Sequence, residues 1–139
     1  MFRGPATVSF FADRVDAART WYADLLGIEP YFERPGPDGS TSYVEFRIGD
    51  YQTELGIIDS RFRPSAPVEP GGIILYWSVD DLEASVQRLL AVGATTYEPV
   101  TVRGEGFVTA SVVDPFGNIL GEMENQHYRH IAARFRDIR

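Results

Sequence analysis

The chain contains no cysteine, and this absence removes several classes of function at once. Disulfide bonds, thiol nucleophiles and thiolate-bound metal centres all require that residue. The sequence also has no apolar run near the roughly 18 residues of a membrane span, and its first residues lack the apolar stretch of about 7 to 15 residues that marks a secretion signal. We therefore expect a cytoplasmic protein that does not enter a membrane.

Basic residues are in the minority. Thirteen Lys and Arg oppose 20 Asp and Glu, which gives a net charge of -7 at pH 7. Nucleic-acid binding depends on a clustered basic surface that neutralises phosphates, so we expect no nucleic-acid partner. Hydrophobic residues make up 44% of the 139 positions, enough for one ordinary core or for two small half-domains that share a core.

One pattern of strand, helix and glycine occurs twice. Residues 8–12 form an apolar run, residues 17–26 have helical spacing, and Gly27 ends that helix. The same order returns with an apolar run over residues 73–79, a helix over residues 82–92 and a terminal glycine at Gly93. The sequence therefore predicts an internal duplication.

Each predicted helix is followed by three strand candidates. They cover residues 30–34, 43–48 and 52–59 in the first half, and residues 95–102, 107–113 and 119–124 in the second. We predict an α+β protein of two tandem βαβββ modules. The modules span residues 1–62 and 73–125, with a Pro- and Gly-rich linker over residues 63–72 and a C-terminal tail over residues 126–139. Ile131 and Phe135 lie four positions apart in that tail and are compatible with a short helix.

Three motifs in this order and spacing resemble the vicinal oxygen chelate superfamily, which includes glyoxalase, bleomycin resistance protein and extradiol dioxygenase. The motifs are the helix ending Trp21-Tyr22 to Leu26-Gly27, the helix entry Ser78-Val79-Asp80-Asp81-Leu82, and the turn Asp114-Pro115-Phe116-Gly117-Asn118. The resemblance implies two modules whose curled mixed sheet surrounds a cavity, and it often implies a homodimer.

Side chains alternate across a strand, so the apolar positions assign one face of each sheet to the helices and leave the other for the cavity. The residues expected to bind a ligand there are Thr7, Ser9, Phe11, Tyr43, Glu45, Arg47, Glu54, Tyr76, Phe107, Thr109 and Met123. Aromatic rings with a few hydroxyl and charged groups are typical of a small-molecule pocket. The alternatives are a solvated Glu45–Arg47 pair and aromatic rings that only fill space.

Catalytic members of the superfamily hold a divalent metal ion with His or Glu side chains. Carried over by spacing, the resemblance places Thr7, Ile74 and Gly121 at three of the ligand positions, and either Glu54 or Gly56 at the fourth. Isoleucine and glycine have no donor side chain, so we expect no metal site and no cofactor.

Two arrangements could supply other metal ligands. Glu122 and Glu124 lie on the opposite face of the last strand from Gly121, and a β-bulge there would turn Glu122 inward. His127 and His130 have the i, i+3 spacing of one helical face, and a pair on the surface of the tail is the other interpretation.

These observations favour a protein that binds a small organic molecule without the family's metal. One alternative is a lyase, isomerase or dioxygenase with displaced metal ligands or with Glu54 and Glu45 as acid-base groups. A dimeric interaction module with a filled cavity is the other.

Overall fold

The structure, a computed structural model, describes residues 1, 3–65 and 68–136. The chain divides into two compact units, Met1–Ala66 and Pro67–Arg139. Part of the predicted linker, residues 66 and 67, and the end of the predicted tail, residues 137–139, lie outside the described residues. In the part of the chain that is described, no helix has the length and apolar character needed to cross a membrane.

Unit 1 is a four-stranded mixed sheet with one main helix. Its elements are β1 (Thr7–Ala12), α1 (Val15–Leu26), β2 (Phe32–Pro35), β3 (Thr41–Ile48), β4 (Thr53–Asp59) and a 3-10 turn at Ser60–Phe62. The strand order is β1-β4-β3-β2, with β1 parallel to β4 and the other pairs antiparallel.

Unit 2 repeats this topology. Its elements are β5 (Tyr76–Ser78), α2 (Leu82–Ala91), β6 (Thr95–Gly104), β7 (Phe107–Val113), β8 (Ile119–Asn125) and α3 (Gln126–Arg136). The strand order is β5-β8-β7-β6, again with one parallel pair, β5 and β8. The prediction of an α+β fold made of two βαβββ modules is confirmed.

The core of each unit lies between its sheet and its helix. In unit 1 the alternate residues Val44 and Phe46 of β3 are fully buried, and Tyr22 of α1 is buried with its ring 6.0 Å from that of Phe10. In unit 2, Ala110 of β7 packs with Leu82 and Val86 of α2. Alternation therefore turns the apolar set of each sheet towards its helix and leaves the other set on the opposite face.

The two helices begin differently and both end near glycine. Asp81 caps α2 by accepting a hydrogen bond from the Ala84 backbone N–H at 3.0 Å, whereas Arg14 at the start of α1 makes no such side-chain bond. Gly27 ends α1 with φ of 68°, a left-handed conformation that glycine adopts without steric cost.

The fifth strand is shorter than predicted. The sequence predicts extended chain from residue 73, but pairing with β8 covers only Tyr76–Ser78. Ile73 is 91% exposed and follows Gly72, whose φ of 89° interrupts extended backbone. Regular strand geometry therefore starts only where β8 supplies partners.

The turn that links β7 and β8 is held by its first residue. Asp114 Oδ1 accepts hydrogen bonds from the backbone N–H groups of Phe116 at 2.9 Å and Asn118 at 2.8 Å. Gly117 provides the positive φ of 92°. This is the side-chain mimicry of a backbone turn that Asp favours, and it fixes the register of the hairpin.

Candidate ligand-binding site

The face of the unit 1 sheet opposite α1 carries three cross-strand rows of side chains. Strand pairing sets the rows, since residues paired across a sheet point to the same side. The first row contains Arg34, Tyr43, Ile58 and Phe11; the second contains Phe32, Glu45, Gly56 and Ser9; the third contains Arg47, Glu54 and Thr7. Seven residues of the predicted ligand-binding set thus share one face within unit 1.

A pocket of about 410 Å³ opens on this face. Its lining residues are Tyr31, Phe32, Arg34, Tyr43 and Glu45. The volume lies within the range of roughly 300–1,000 Å³ that is usual for small-molecule sites. Three aromatic rings, one guanidinium and one carboxylate therefore surround a space large enough for a ring-containing molecule.

Gly56 makes room for the ring of Tyr43. A Cβ atom at position 56 would lie 2.6 Å from Tyr43 Oη and 2.9 Å from its Cε2, so any larger residue would displace the ring. In this position Tyr43 Oη donates a hydrogen bond of 2.5 Å to Glu45 Oε1. The glycine thus lets the tyrosine lie across the sheet and hold the pocket carboxylate.

Glu45 and Tyr43 both titrate above their ordinary ranges. Burial raises the pKa of the Glu45 carboxyl, the charge of Glu54 raises it further, and Arg47 partly opposes them. Burial also raises the pKa of the Tyr43 hydroxyl, with a contribution from Glu54. Tyr43 therefore stays a neutral hydrogen-bond donor near pH 7, opposite a carboxylate that favours a bound proton or a cationic partner.

Glu54 lies in the third row and is already occupied by two donors. Thr7 Oγ1 donates to Glu54 Oε2 at 2.6 Å, and Arg47 Nη1 donates to Glu54 Oε1 at 3.1 Å. The Arg47 guanidinium also stacks 4.7 Å from the centre of the Tyr31 ring. This ion pair orders the pocket edge, while Glu45 remains the carboxylate that lines the pocket itself.

The first row ends away from the pocket. Phe11 lies 4.7 Å beneath the guanidinium of Arg63, and neither residue is part of the pocket lining. Ser9 pairs with Gly56 in the second row.

On the equivalent face of unit 2, the space beside the matching glycine is filled by backbone as well as by side chains. A Cβ atom at Gly121 would lie 2.7 Å from the Leu75 carbonyl oxygen, 2.8 Å from Tyr76 Cδ1 and 2.9 Å from Ile74 Cγ2. Ser111, which pairs with Gly121, is fully buried, and its hydroxyl has no partner among the described residues. Tyr76 therefore packs against the strand here.

The remaining predicted residues of unit 2 have local partners. Thr109 Oγ1 accepts a hydrogen bond from Arg103 Nε at 3.1 Å, and the Phe107 ring lies 5.1 Å from that of His127. Met123 Sδ accepts from Asn125 Nδ2 at 3.6 Å. All of these contacts lie within unit 2.

Glu122 does not turn towards the Gly121 face. The pairing of β7 with β8 continues without a register shift from Phe107 to Val113, so the β-bulge that would bring Glu122 inward is absent from this hairpin. The residue pairs with Ala110 on the α2 side and is only 2% exposed. Neither of its carboxylate oxygens has a partner among the described residues, and burial raises the pKa of Glu122 to about 8.

Glu124 also lies on the α2 side of β8. Its Oε2 accepts a hydrogen bond from the Leu82 backbone N–H at 3.2 Å, at the start of α2. Its Oε1 lies 3.5 Å from Arg129 Nη2 of α3. A structural role in joining the two helices accounts for this carboxylate.

The residues at the superfamily's ligand positions do not fit a divalent metal ion. Ile74 and Gly121 offer no donor atom, and the space beside Gly121 is filled by backbone and hydrocarbon. The Thr7 hydroxyl already donates a hydrogen bond to Glu54. Within residues 1, 3–65 and 68–136, no three His, Asp or Glu side chains cluster as metal ligands.

Three pocket residues, Tyr31, Phe32 and Arg34, are missing from the site predicted by sequence. The signal for two of them was present, because Phe32 and Arg34 alternate along β2 and pair with Glu45 and Tyr43. Tyr31 precedes β2, so the alternation of strand side chains does not predict where it points. Its backbone N–H donates a hydrogen bond to the Glu45 carbonyl oxygen at 3.0 Å.

Comparison with known proteins defines the family. The model of the Glyoxalase/Bleomycin resistance protein/Dioxygenase superfamily matches residues 4–121. The chain therefore belongs to this superfamily, as the three sequence motifs predict. No match was found among the curated proteins.

Solved structures share the fold. A glyoxalase family protein from Enterococcus faecalis is 26% identical, with a TM-score of 0.68, over 88% of this chain and 98% of its own. A lactoylglutathione lyase from Agrobacterium tumefaciens is 21% identical, with a TM-score of 0.67, over 92% and 98%. A glyoxalase-related enzyme from Fulvimarina pelagi is 18% identical, with a TM-score of 0.68, over 88% of each chain.

Proposed function

We propose that this protein binds a small, ring-containing organic molecule in the pocket of unit 1, independently of the superfamily's metal ion. The observation that carries the proposal is the grouping of Tyr31, Phe32 and Tyr43 around the Glu45 carboxylate. Aromatic rings offer flat apolar contact area, and a few polar groups fix the orientation of a ligand. The pocket combines both elements on one ordered sheet face.

Binding does not require the metal positions. Shape, ring stacking and charge are sufficient for a molecule to be held or sequestered, and all three belong to residues of unit 1. Metal-assisted chemistry would need donor side chains where the chain has Ile74 and Gly121. A metal-independent binding role therefore agrees best with the residues at hand.

Indole-3-ethanol, a neutral ring probe, tests this proposal by saturation-transfer NMR and by isothermal titration calorimetry. We expect binding to the wild-type protein and at least about a fivefold weaker affinity for Phe32→Ala, because truncation removes one ring of the pocket. Phe62→Ala is the matched control, since Phe62 is 54% exposed in the 3-10 turn and does not line the pocket.

The probe distinguishes this function from a dimeric interaction module. Saturation transfer that is lost in Phe32→Ala and kept in Phe62→Ala supports the binding function. Equal transfer in both variants would reject it, and so would failure of the wild-type protein to bind any of indole-3-ethanol, L-tryptophan, tryptamine and indole-3-propionate.

A further inference from the structure

The pocket of unit 1 contains one cationic and one anionic side chain that do not neutralise each other. Arg34 and Glu45 both line it, yet neither takes part in an ion pair with any residue that the structure describes. Three of the six other arginines of unit 1 do form ion pairs: Arg19 with Glu29 and Glu33, Arg47 with Glu54, and Arg61 with Asp38 and Asp59. The pocket thus keeps two opposite charges available.

Local contacts hold these two charges apart. Tyr43 Oη occupies Glu45 Oε1, and the Arg34 guanidinium stacks 5.8 Å from the centre of the Phe32 ring. Arg34 pairs with Tyr43, and Glu45 pairs with Phe32, so the two charged residues occupy diagonal positions on neighbouring strands. The Cα atoms of diagonal neighbours in a sheet are about 7–8 Å apart, and long side chains bridge that distance.

That spacing suits a ligand with two opposite charges of its own. The ammonium and carboxylate groups of an α-amino acid are close together, and each needs a hydrogen bond of about 2.9 Å to its protein partner. Long side chains at diagonal positions on one face are within reach of each other, so both can contact one ligand of this size. The rings of Phe32, Tyr31 and Tyr43 then surround the space available to an aromatic side chain.

From this arrangement we infer that the pocket selects an aromatic zwitterion, with its ammonium group on Glu45 and its acid group on Arg34. The inference rests on the proposed function and adds the charge pattern of the ligand. A guanidinium is well matched to a carboxylate because it presents paired donors in one plane. The Glu45 carboxylate lines the pocket and receives the Tyr43 hydrogen bond on one oxygen only, so it is matched to an ammonium donor.

Three indole probes separate the contributions of the two charges. L-Tryptophan carries both charged groups, tryptamine carries only the ammonium, and indole-3-propionate carries only the carboxylate. Isothermal titration calorimetry should give an affinity for L-tryptophan at least about tenfold above that of either single-charge probe, since a charge-assisted hydrogen bond is roughly twice as strong as a neutral one.

Two variants assign each charge to its partner. Arg34→Gln should abolish the advantage of L-tryptophan over tryptamine, and Glu45→Gln should abolish its advantage over indole-3-propionate. Arg134→Gln on α3 and Glu105→Gln in an exposed loop make the same chemical changes outside the pocket and should preserve both advantages. Thermal unfolding of each variant verifies that it folds.

The outcomes distinguish the two levels of the proposal. If indole-3-ethanol binds in a Phe32-dependent manner but L-tryptophan binds no more tightly than the single-charge probes, the zwitterion inference is wrong and the binding function stands. Failure of all four indole compounds to bind would overturn both. Preference for L-tryptophan that survives in Arg34→Gln and Glu45→Gln would also reject the inference.

Discussion

Two glycines at corresponding places in the duplicated units show how a missing side chain is used in different ways. The space beside Gly56 is occupied by the end of the Tyr43 side chain, which donates a hydrogen bond to Glu45 in the pocket. The space beside Gly121 is occupied by the Leu75 carbonyl oxygen as well as by the side chains of Ile74 and Tyr76. A flexible ring can move aside when a methyl group is added, whereas a backbone carbonyl moves only with its strand.

Gly121→Ala is therefore expected to destabilise the protein. The added Cβ meets the Leu75 carbonyl oxygen at 2.7 Å, and over-packing of this kind typically costs about 1–3 kcal/mol. Gly104→Ala is the matched control because its Cβ meets nothing within 4 Å. Urea denaturation should show a lower unfolding free energy for the first variant and a change within about 0.5 kcal/mol for the second. Equal values for the two variants would contradict the crowding at Gly121.

Glu122 makes stability depend on pH. Its pKa of about 8 in the folded protein lies above the ordinary value of 4.5, so the folded state keeps a proton that the unfolded chain releases. The resulting stabilisation is complete below pH 4.5, falls as the pH rises, and is lost above about pH 8. The difference between these limits is a few kcal/mol.

Glu122→Gln should remove this part of the pH dependence, because the amide stays neutral at every pH. Urea denaturation at pH 5, 6.5 and 8 should show the variant gaining stability relative to wild type as the pH rises. Glu105→Gln, in the exposed loop between β6 and β7, should follow the wild type. Parallel pH profiles for wild type and Glu122→Gln would show that burial does not perturb this carboxyl.

At the scale of secondary structure, the two helices of the duplication differ in how they start. Asp81 satisfies the Ala84 N–H at the start of α2, and Glu124 satisfies that of Leu82. Arg14 provides no side-chain cap for α1. The first turn of α2 thus depends on specific side chains, while that of α1 depends on packing.

Asp81→Ala should lower the unfolding free energy by about 1 kcal/mol, the usual cost of losing an N-cap. Arg14→Ala is the corresponding change at α1 and should leave stability within about 0.5 kcal/mol of wild type, because no capping bond is lost. Thermal and urea denaturation would measure both. A loss at Arg14 as large as that at Asp81 would exclude capping as the cause.

At the scale of the whole chain, the duplicated fold was accessible from sequence because its signals are local. The strand period, the helix period and the Asp-Pro-Phe-Gly-Asn turn at 114–118 each act within a few residues. The same alternation separates Val44 and Phe46 from Tyr43 and Glu45 on β3. Covalent geometry alone sets that period, so it holds wherever a strand is regular.

The rest of the site depends on contacts between segments far apart in sequence. Nothing near Gly121 shows that the chain at Ile74 and Tyr76 will crowd it. Alternation predicts the face on which Glu122 lies, but not that its side chain is almost completely buried there. The contribution of Tyr31 likewise depends on where the loop after α1 meets β3. Such features follow from tertiary packing, which local periodicity does not encode.

The crowding beside Gly121 also restricts how this chain can change by mutation. The Cβ atom of a glutamate introduced at position 121 would collide with the Leu75 carbonyl oxygen. A variant with this single change would therefore be destabilised before its carboxylate could bind a metal ion. Shortening Ile74 or Tyr76 and moving their strand would have to come earlier. A directed-evolution route to a metal-binding descendant therefore begins on β5 and its approach, and reaches the closing hairpin only later.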